Sequence, residues 1–251
     1  MPLIQTRNLT KRFGQHTVLD SLSLSIERGE SLVIIGQSGT GKSVFLRHLI
    51  GLLEPDEGNI TFDGRDMAEL TSNELKEVRQ RVGMVFQSAA LLDSLTVAEN
   101  VGLGLRETRH MRSAEIAPIV QESLALVGLS GAEEKYPAEL SGGMRKRVGL
   151  ARAIAGRPEV ILYDEPTTGL DPVTADTINE LIVNLNQKIH ATSIAVTHDM
   201  ASAFRIGHRI VMLSRGKIVF DGTPEQIQRS NDPMVRQFIE GRSEGPLTRA
   251  V

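Results

Sequence analysis

Residues 31–43 read SLVIIGQSGTGKS, an apolar run that leads directly into a glycine cluster with the pattern G-x-x-x-x-G-K-S. The apolar run predicts a buried strand, and the helical spacing of apolar residues after Lys42 predicts that a helix starts there. A glycine-rich loop in this position exposes successive backbone N–H groups and the positive end of the helix dipole, and both attract phosphate. The alternative is an ordinary glycine-rich turn, which rarely has this pattern between a strand and a helix.

The loop predicts a nucleotide site. Its members are Gly36, Gln37, Ser38, Gly39, Thr40, Gly41, Lys42 and Ser43. We expect Lys42 to reach the β- and γ-phosphates of the nucleotide and the Ser43 hydroxyl to bind Mg²⁺.

A pair of acidic residues follows a second apolar run, VILYDE at residues 160–165. Mg²⁺ prefers carboxylate, hydroxyl and water oxygens, so we expect Asp164 to hold Mg²⁺ through water. Glu165 is then placed to orient and deprotonate an attacking water molecule. An Asp-Glu pair alone usually belongs to a solvated loop, but together with the phosphate loop it indicates a nucleotide hydrolase.

The rest of the chain predicts an α/β fold, because strands and helices alternate on both sides of these motifs. Short strands fill residues 3–35, and helices are predicted over 142–155 and 172–189, the second of them with an apolar stripe. Further strands are predicted at 59–62, 82–86, 160–163, 193–197, 210–213 and 217–220, the last two forming a hairpin. Such alternation favours a mainly parallel core sheet. Residues 94–140 have helical spacing only, which predicts a helical insertion.

Composition excludes several classes of protein. The 251 residues include no cysteine, so thiol nucleophiles, disulfide frameworks and zinc-thiolate sites are excluded. The net charge of −3, from 28 basic and 31 acidic residues, argues against a general nucleic-acid binder. No apolar stretch approaches the ~18 residues of a transmembrane helix, and the start of the chain lacks the pattern of a signal peptide. These features predict a cytoplasmic protein.

Residues 140–144 read LSGGM and resemble the LSGGQ signature of ABC-type ATPases. A Ser-Gly-Gly at a helix N-terminus is a second anion-binding end, although alone it is more often just a helix start. Two phosphate-binding ends in one chain suggest that each site is completed by a partner molecule. The resemblance implies a P-loop NTPase of the ABC type, with residues 1–239 as one domain and 240–251 as a tail. That domain would contain an N-terminal antiparallel β-subdomain and an α-helical subdomain over about residues 94–157.

The same resemblance implies roles for single residues. Phe13 matches the aromatic residue that stacks on adenine, and Gln87 matches the Q-loop glutamine that contacts Mg²⁺ or the attacking water. Asp171 matches the D-loop at the dimer seam, and His198 matches the switch histidine that contacts the γ-phosphate. Each has a plain alternative: Phe13 as a core residue, Gln87 and His198 as surface or structural residues, and Asp171 as a helix N-cap.

By analogy with the family, two chains pair head to tail. Each ATP, with Mg²⁺, then lies between the Lys42 loop of one chain and Ser141, Gly142 and Gly143 of the other. Binding of two ATP closes this homodimer and moves a membrane permease, and hydrolysis reopens it.

The sequence departs from the family pattern in two places. Met144 stands where the signature has Gln, so a contact by that side chain is lost. Residues 145–147, Arg-Lys-Arg, follow it and predict a solvated helix face. The change of a commoner Thr-Ser-Gly to Thr167-Thr168-Gly169 is mild.

Connecting segments resemble a narrower group, the Mla/Mce-type lipid-transport ATPases. These segments are FQSAAL at 86–91, LTVAENV at 95–101 and DPMVRQFIEG at 232–241. The resemblance implies phospholipid movement between inner and outer membranes, a permease, a lipid-binding MCE-domain protein and, in some systems, a STAS-domain subunit. It would place the chain on the cytoplasmic face of the inner membrane.

Three other functions share some of these sequence features. One is an ABC importer or exporter for amino acids, metals or drugs, which would use the same chemistry. A soluble ABC-type ATPase acting on ribosomes or DNA is disfavoured, because the chain has neither two ATPase halves nor a long coiled-coil insertion. A small-molecule kinase would need neither the signature nor His198.

Overall fold

The computed structural model describes residues 1–248 and contains two compact units. The first unit comprises residues 1–75 and the described residues from 194 onward, and the second comprises residues 76–193. Within residues 1–248, no helix combines the length and the apolar character that crossing a bilayer requires.

The strands are β1 (Ile4–Phe13), β2 (His16–Ile26), β3 (Ser31–Ile35), β4 (Glu57–Phe62), β5 (Arg65–Asp66), β6 (Val82–Val85), β7 (Val160–Asp164), β8 (Thr192–Thr197), β9 (Arg209–Ser214) and β10 (Lys217–Gly222). The α-helices are α1 (Lys42–Leu49), α2 (Ser72–Gln80), α3 (Val97–Arg109), α4 (Ser113–Leu126), α5 (Gly142–Ala155), α6 (Pro172–Ile189), α7 (Met200–Ile206), α8 (Pro224–Gln228) and α9 (Pro233–Glu240). Short 3₁₀ turns cover Met67–Glu69 and Pro137–Glu139.

The first unit contains the antiparallel sheet predicted near the N-terminus, in the order β2-β1-β4-β5. Its strand β2 alternates in burial, because Leu22, Leu24 and Ile26 are buried between less buried neighbours. The same unit holds β10, β9, β3 and β8 side by side in that order. Strands β3 and β9 are parallel, and β9 and β10 form the predicted hairpin.

The second unit joins a parallel strand pair to a group of helices. Strands β6 and β7 pair in parallel, with Val85 opposite Tyr163. The segment predicted to be helical between residues 94 and 140 forms α3 and α4, which pack on each other and on α5. Helices α5 and α6 have the bounds that were predicted from the sequence.

The sequence patterns missed helices α2 and α7. Helix α2 buries only Val78, so it has no apolar stripe to detect. Helix α7 spans seven residues, which is too short for a periodic signal.

The last helix of the described residues is α9. Its Gln237 is buried, donates to the Arg242 carbonyl and accepts a hydrogen bond from the Leu247 backbone. The last three residues of the predicted tail, 249–251, lie outside the described residues.

Candidate functional site

The glycine-rich loop follows β3 and curls around its own lysine. Lys42 is buried, and its Nζ donates to the carbonyl oxygens of Gly36 at 2.8 Å and Gln37 at 3.0 Å. The Thr40 hydroxyl also donates to the Gln37 carbonyl, at 2.9 Å. The loop is therefore already folded around the ammonium group of Lys42, and helix α1 begins at this same residue.

Two glycines of this loop are required by geometry. Gly41 is the N-cap of α1 with φ +94°, and a Cβ there would lie 2.8 Å from the Val18 carbonyl oxygen. At Gly36 a Cβ would lie 2.4 Å from the Leu213 carbonyl oxygen. No other residue fits these positions without moving backbone, because the contacts are to main-chain atoms.

His198 follows strand β8, which neighbours β3 in the first unit. The glycine-rich loop and His198 therefore follow adjacent strands. His198 is exposed, and the next residue, Asp199, caps helix α7 by accepting from the backbone N–H groups of Ala201 and Ser202.

Phe13 lies at the end of β1 and is 49% exposed, so it is not a core residue. The Lys11 ammonium lies 5.8 Å from the centre of its ring, in cation–π geometry, and also binds Asp56 at 3.1 Å. An exposed ring held in this way is suited to stacking on a flat ligand.

In the second unit, strand β7 ends at Asp164 and Glu165, which are both buried. Glu165 has φ +50°, a left-handed conformation that costs a residue with a Cβ about 1–2 kcal/mol. Its carboxylate accepts from the Thr168 hydroxyl at 3.1 Å, and its carbonyl accepts from the Thr168 N–H at 3.3 Å. Strained residues held by their surroundings are typical of functional sites.

Gln87 follows β6, the parallel neighbour of β7, and one buried cation joins the ends of the two strands. Lys146 of α5 is 6% exposed, and its Nζ donates to the Gln87 carbonyl at 2.6 Å and to the Glu165 carbonyl at 3.4 Å. Burial lowers the pKa of the Lys146 ammonium, and the nearby Glu165 carboxylate opposes this shift.

The solvated face predicted for residues 145–147 is therefore wrong for Lys146. Its position recurs at helical spacing with Leu150 and Ala153, which are buried as well. Arg145 is exposed as predicted and donates to the Leu140 carbonyl at 2.7 Å.

Helix α5 also holds the residues that follow Gln87. Arg152 donates to the carbonyl oxygens of Ala89 and Ala90, two residues with positive φ. Burial lowers the pKa of the Arg152 guanidinium. Gly149 packs so closely that an added Cβ would lie 3.3 Å from the Ala89 Cβ.

The Ser-Gly-Gly sequence begins α5. Ser141 is its exposed N-cap, and its hydroxyl accepts from the Met144 N–H at 3.3 Å. Near it, a Cβ on Gly143 would lie 2.9 Å from the Thr174 methyl group of α6. Asp171 is the N-cap of α6, and its hydrogen bonds to Thr174 lower the pKa of the carboxyl group.

Three residues were not predicted from the sequence to act at the site: Lys146, Arg152 and Thr168. The signal for Lys146 was its helical spacing from Leu150 and Ala153, two apolar residues of the predicted helix 142–155. Arg152 and Thr168 had no such signal, because both act on carbonyl or carboxylate groups of loops whose conformation the sequence does not specify.

Comparison with known proteins assigns the family. A family model described as "ABC transporter" matches residues 19–168, more than half of the chain. The chain therefore belongs to the ABC transporter family, as its ATP-binding ATPase component. The resemblance seen in the signature motif is thus confirmed.

Three similar proteins illustrate the relationship. The probable ribonucleotide transport ATP-binding protein mkl of Mycobacterium tuberculosis is 46% identical over 97% of this chain and 68% of its own length. The intermembrane phospholipid transport system ATP-binding protein MlaF of Haemophilus influenzae is 42% identical over 98% of this chain and 93% of its own. The dimeric post-hydrolysis structure of the ATP-binding cassette MJ0796 with ADP and Pi has a TM-score of 0.79 and 34% identity, covering 88% of this chain and 98% of that one. This likeness confirms the predicted fold class.

The exposed ring of Phe13 yields a first prediction. Removing it in Phe13→Ala should weaken ATP binding about tenfold, because stacking on a base is worth ~1–3 kcal/mol. Titration of the purified chain with a fluorescent ATP analogue measures this effect.

Two controls accompany the measurement. Phe13→Trp should keep the affinity, and Leu52→Ala, which removes another exposed apolar side chain of the first unit, should leave it unchanged. Equal affinities for Phe13→Ala and the unaltered chain would exclude stacking on Phe13.

Proposed function

We propose that this chain is the ATP-hydrolysing subunit of a transporter that moves phospholipids between two membranes, working as a head-to-tail dimer with a separate permease. The observation that carries the hydrolytic part is the buried, strained Glu165 at the end of β7, with its carboxylate held by Thr168. The substrate class rests on the likeness to proteins of named function.

ATP would be held by its two ends. The curled loop of residues 36–43 offers backbone N–H groups and the start of α1 to the phosphates. Lys42 would exchange its bonds to Gly36 and Gln37 for bonds to the β- and γ-phosphates. Phe13 offers its exposed ring to the adenine.

The donor set fits Mg²⁺. This ion usually takes one or two carboxylates, with phosphate oxygens and water filling its other positions. Ser43 and Gln87 would offer it a hydroxyl and an amide oxygen, and the Asp164 carboxylate would hold it through water. When bound, Mg²⁺ neutralises charge on the phosphates. Residues 1–248 contain no group of three or more acidic or histidine side chains arranged to hold a metal ion, so phosphate oxygens and water would have to complete the Mg²⁺ site.

Hydrolysis would proceed by attack of water on the γ-phosphorus. Glu165 accepts the proton of the attacking water, the new bond forms between the water oxygen and phosphorus, and the bond to the β-phosphate oxygen breaks. His198 and Lys42 stabilise negative charge on the γ-phosphate oxygens, and Gln87 helps to place the water.

A second copy of the chain would complete each site. The exposed N-terminus of α5, with Ser141, Gly142 and Gly143, is an anion-binding end that the Lys42 loop does not use. In the proposed dimer it contacts the γ-phosphate held by the partner, and Asp171 lies at the seam. The dimeric structure of MJ0796 supports this arrangement.

The proposed partners follow from the likeness to MlaF. They are a permease, a lipid-binding MCE-domain protein and, in some systems, a STAS-domain subunit, with the chain peripheral on the cytoplasmic face of the inner membrane. No nucleic acid is involved. The relative named for ribonucleotide transport keeps that cargo as a second candidate.

Replacement of the proposed base tests the hydrolytic function. Glu165→Gln should retain ATP binding and lose turnover by at least about a hundredfold, because general bases contribute about 10²–10⁴-fold. Phosphate release by the purified chain measures turnover, and equilibrium titration measures binding.

Glu180→Gln is the matched control, because Glu180 is exposed on α6 in the same unit. It should hydrolyse ATP like the unaltered chain. Undiminished steady-state hydrolysis by Glu165→Gln would remove Glu165 from its proposed role.

The cargo is tested by purifying the chain from its native membranes with its partners. We expect a permease and an MCE-domain protein to accompany it. In liposomes, this complex should transfer fluorescent phospholipid only when ATP is present, and a complex with Glu165→Gln should not.

Other outcomes point elsewhere. ATP-dependent uptake of a ribonucleotide, an amino acid or a metal without lipid transfer would replace the phospholipid assignment. Recovery with ribosomes alone would contradict the transport function.

A further inference from the structure

Helix α5 carries two kinds of contact. Its N-terminus presents Ser141 and Gly142 to solvent. Five residues along, Lys146 reaches the carbonyl groups of Gln87 and Glu165. One helix thus joins an anion-binding end to the two residues proposed to act on the attacking water.

The burial of Lys146 calls for a role beyond stability. Removing an ammonium group from water is costly, and an apolar side chain of similar length commonly stabilises a buried position as well or better. An ammonium group differs from such a side chain because it donates several hydrogen bonds at once. Here two of them go to loops at the ends of neighbouring parallel strands.

Both of those loops are conformationally strained. Glu165 is left-handed, and Ala89 and Ala90, just after Gln87, are left-handed as well. Such backbone persists only where its surroundings hold it. Lys146 binds the carbonyl group of Glu165 itself, so it helps to fix the residue that aims the carboxylate.

We propose that Lys146 is a positioning residue that couples the N-terminus of α5 to the Glu165 carboxylate. This inference rests on the proposed function. A phosphate bound at Ser141 changes the position or reduces the mobility of α5. Lys146 transmits that change to the backbone of Gln87 and Glu165. Along a helix, five residues span only about 7.5 Å, so the transmission is short and stiff.

The coupling has a consequence for the dimer. The α5 N-terminus serves the nucleotide held by the partner, whereas Glu165 serves the nucleotide of its own chain. Lys146 therefore links the two ATP sites, and hydrolysis becomes cooperative in ATP.

The test replaces the ammonium group and separates turnover from binding. Lys146→Met should lower kcat by at least about tenfold, because a misplacement of ~1 Å can cost a catalytic group about a hundredfold. The KM for ATP should stay within about threefold, since the hydrogen bonds of Lys146 go to the carbonyl groups of Gln87 and Glu165 and not to the proposed phosphate loop of residues 36–43. The Hill coefficient for ATP should fall towards one.

Lys146→Arg should recover most of the turnover and the cooperativity, because a guanidinium group can donate to both carbonyls. Lys188→Met is the matched control: Lys188 is exposed on α6 in the same unit, and its replacement should change nothing. Thermal unfolding of each variant shows whether it is folded. If Lys146→Met does not fold, Lys146→Gln is measured by the same criteria.

Two results would overturn the inference. One is wild-type kcat and Hill coefficient in the folded Met or Gln variant. The other is a parallel loss of kcat and ATP affinity that Arg does not rescue, which would indicate a merely structural lysine. In either case the proposed function still stands if the unaltered chain hydrolyses ATP and the Glu165→Gln variant does not. An unaltered chain without ATPase activity overturns both proposals together.

Discussion

Backbone carbonyl groups in loops must find donors when they are buried, and the second unit meets this constraint with side chains of one helix. The loops after β6 and β7 contain the left-handed residues Ala89, Ala90 and Glu165. Lys146 and Arg152 of α5 donate to the carbonyl groups of these three residues and of Gln87. The positions of Gln87 and Glu165 therefore depend on α5, and the N-terminus of the same helix is the proposed contact to a partner's nucleotide.

Much of the fold could be predicted from the sequence, because its patterns were local. The apolar run before Gly36 gave β3, the capping sequence and stripe after Asp171 gave α6, and the LSGGM motif placed the start of α5. Helices α2 and α7 could not be predicted in this way, since one lacks an apolar stripe and the other is too short.

Part of the candidate site could be predicted, because phosphate binding and hydrolysis call for particular residue types in particular patterns. Lys42, Asp164 and Glu165 stand in patterns that few other functions require. Lys146 was misread, because a basic triplet usually lies on a solvated face and its burial depends on loops distant in sequence. The strain at Glu165 was equally hidden, since a non-glycine residue gives no local sign of positive φ. The transported substrate could not be predicted from these residues, and similar chains carry names as different as ribonucleotide and phospholipid transport.

The central claim is that one chain's Lys42 loop and its partner's Ser141 form a single site, and mixing two inactive variants tests it most directly. Ser141→Arg and Lys42→Ala should each be inactive alone. In a symmetric dimer, random pairing makes half of the dimers mixed, each with one intact site, so activity should return to at most about a quarter of the unaltered level. Cross-linking confirms that mixed dimers form. Recovered ATPase activity is the predicted result, and mixed dimers without any activity would contradict the account.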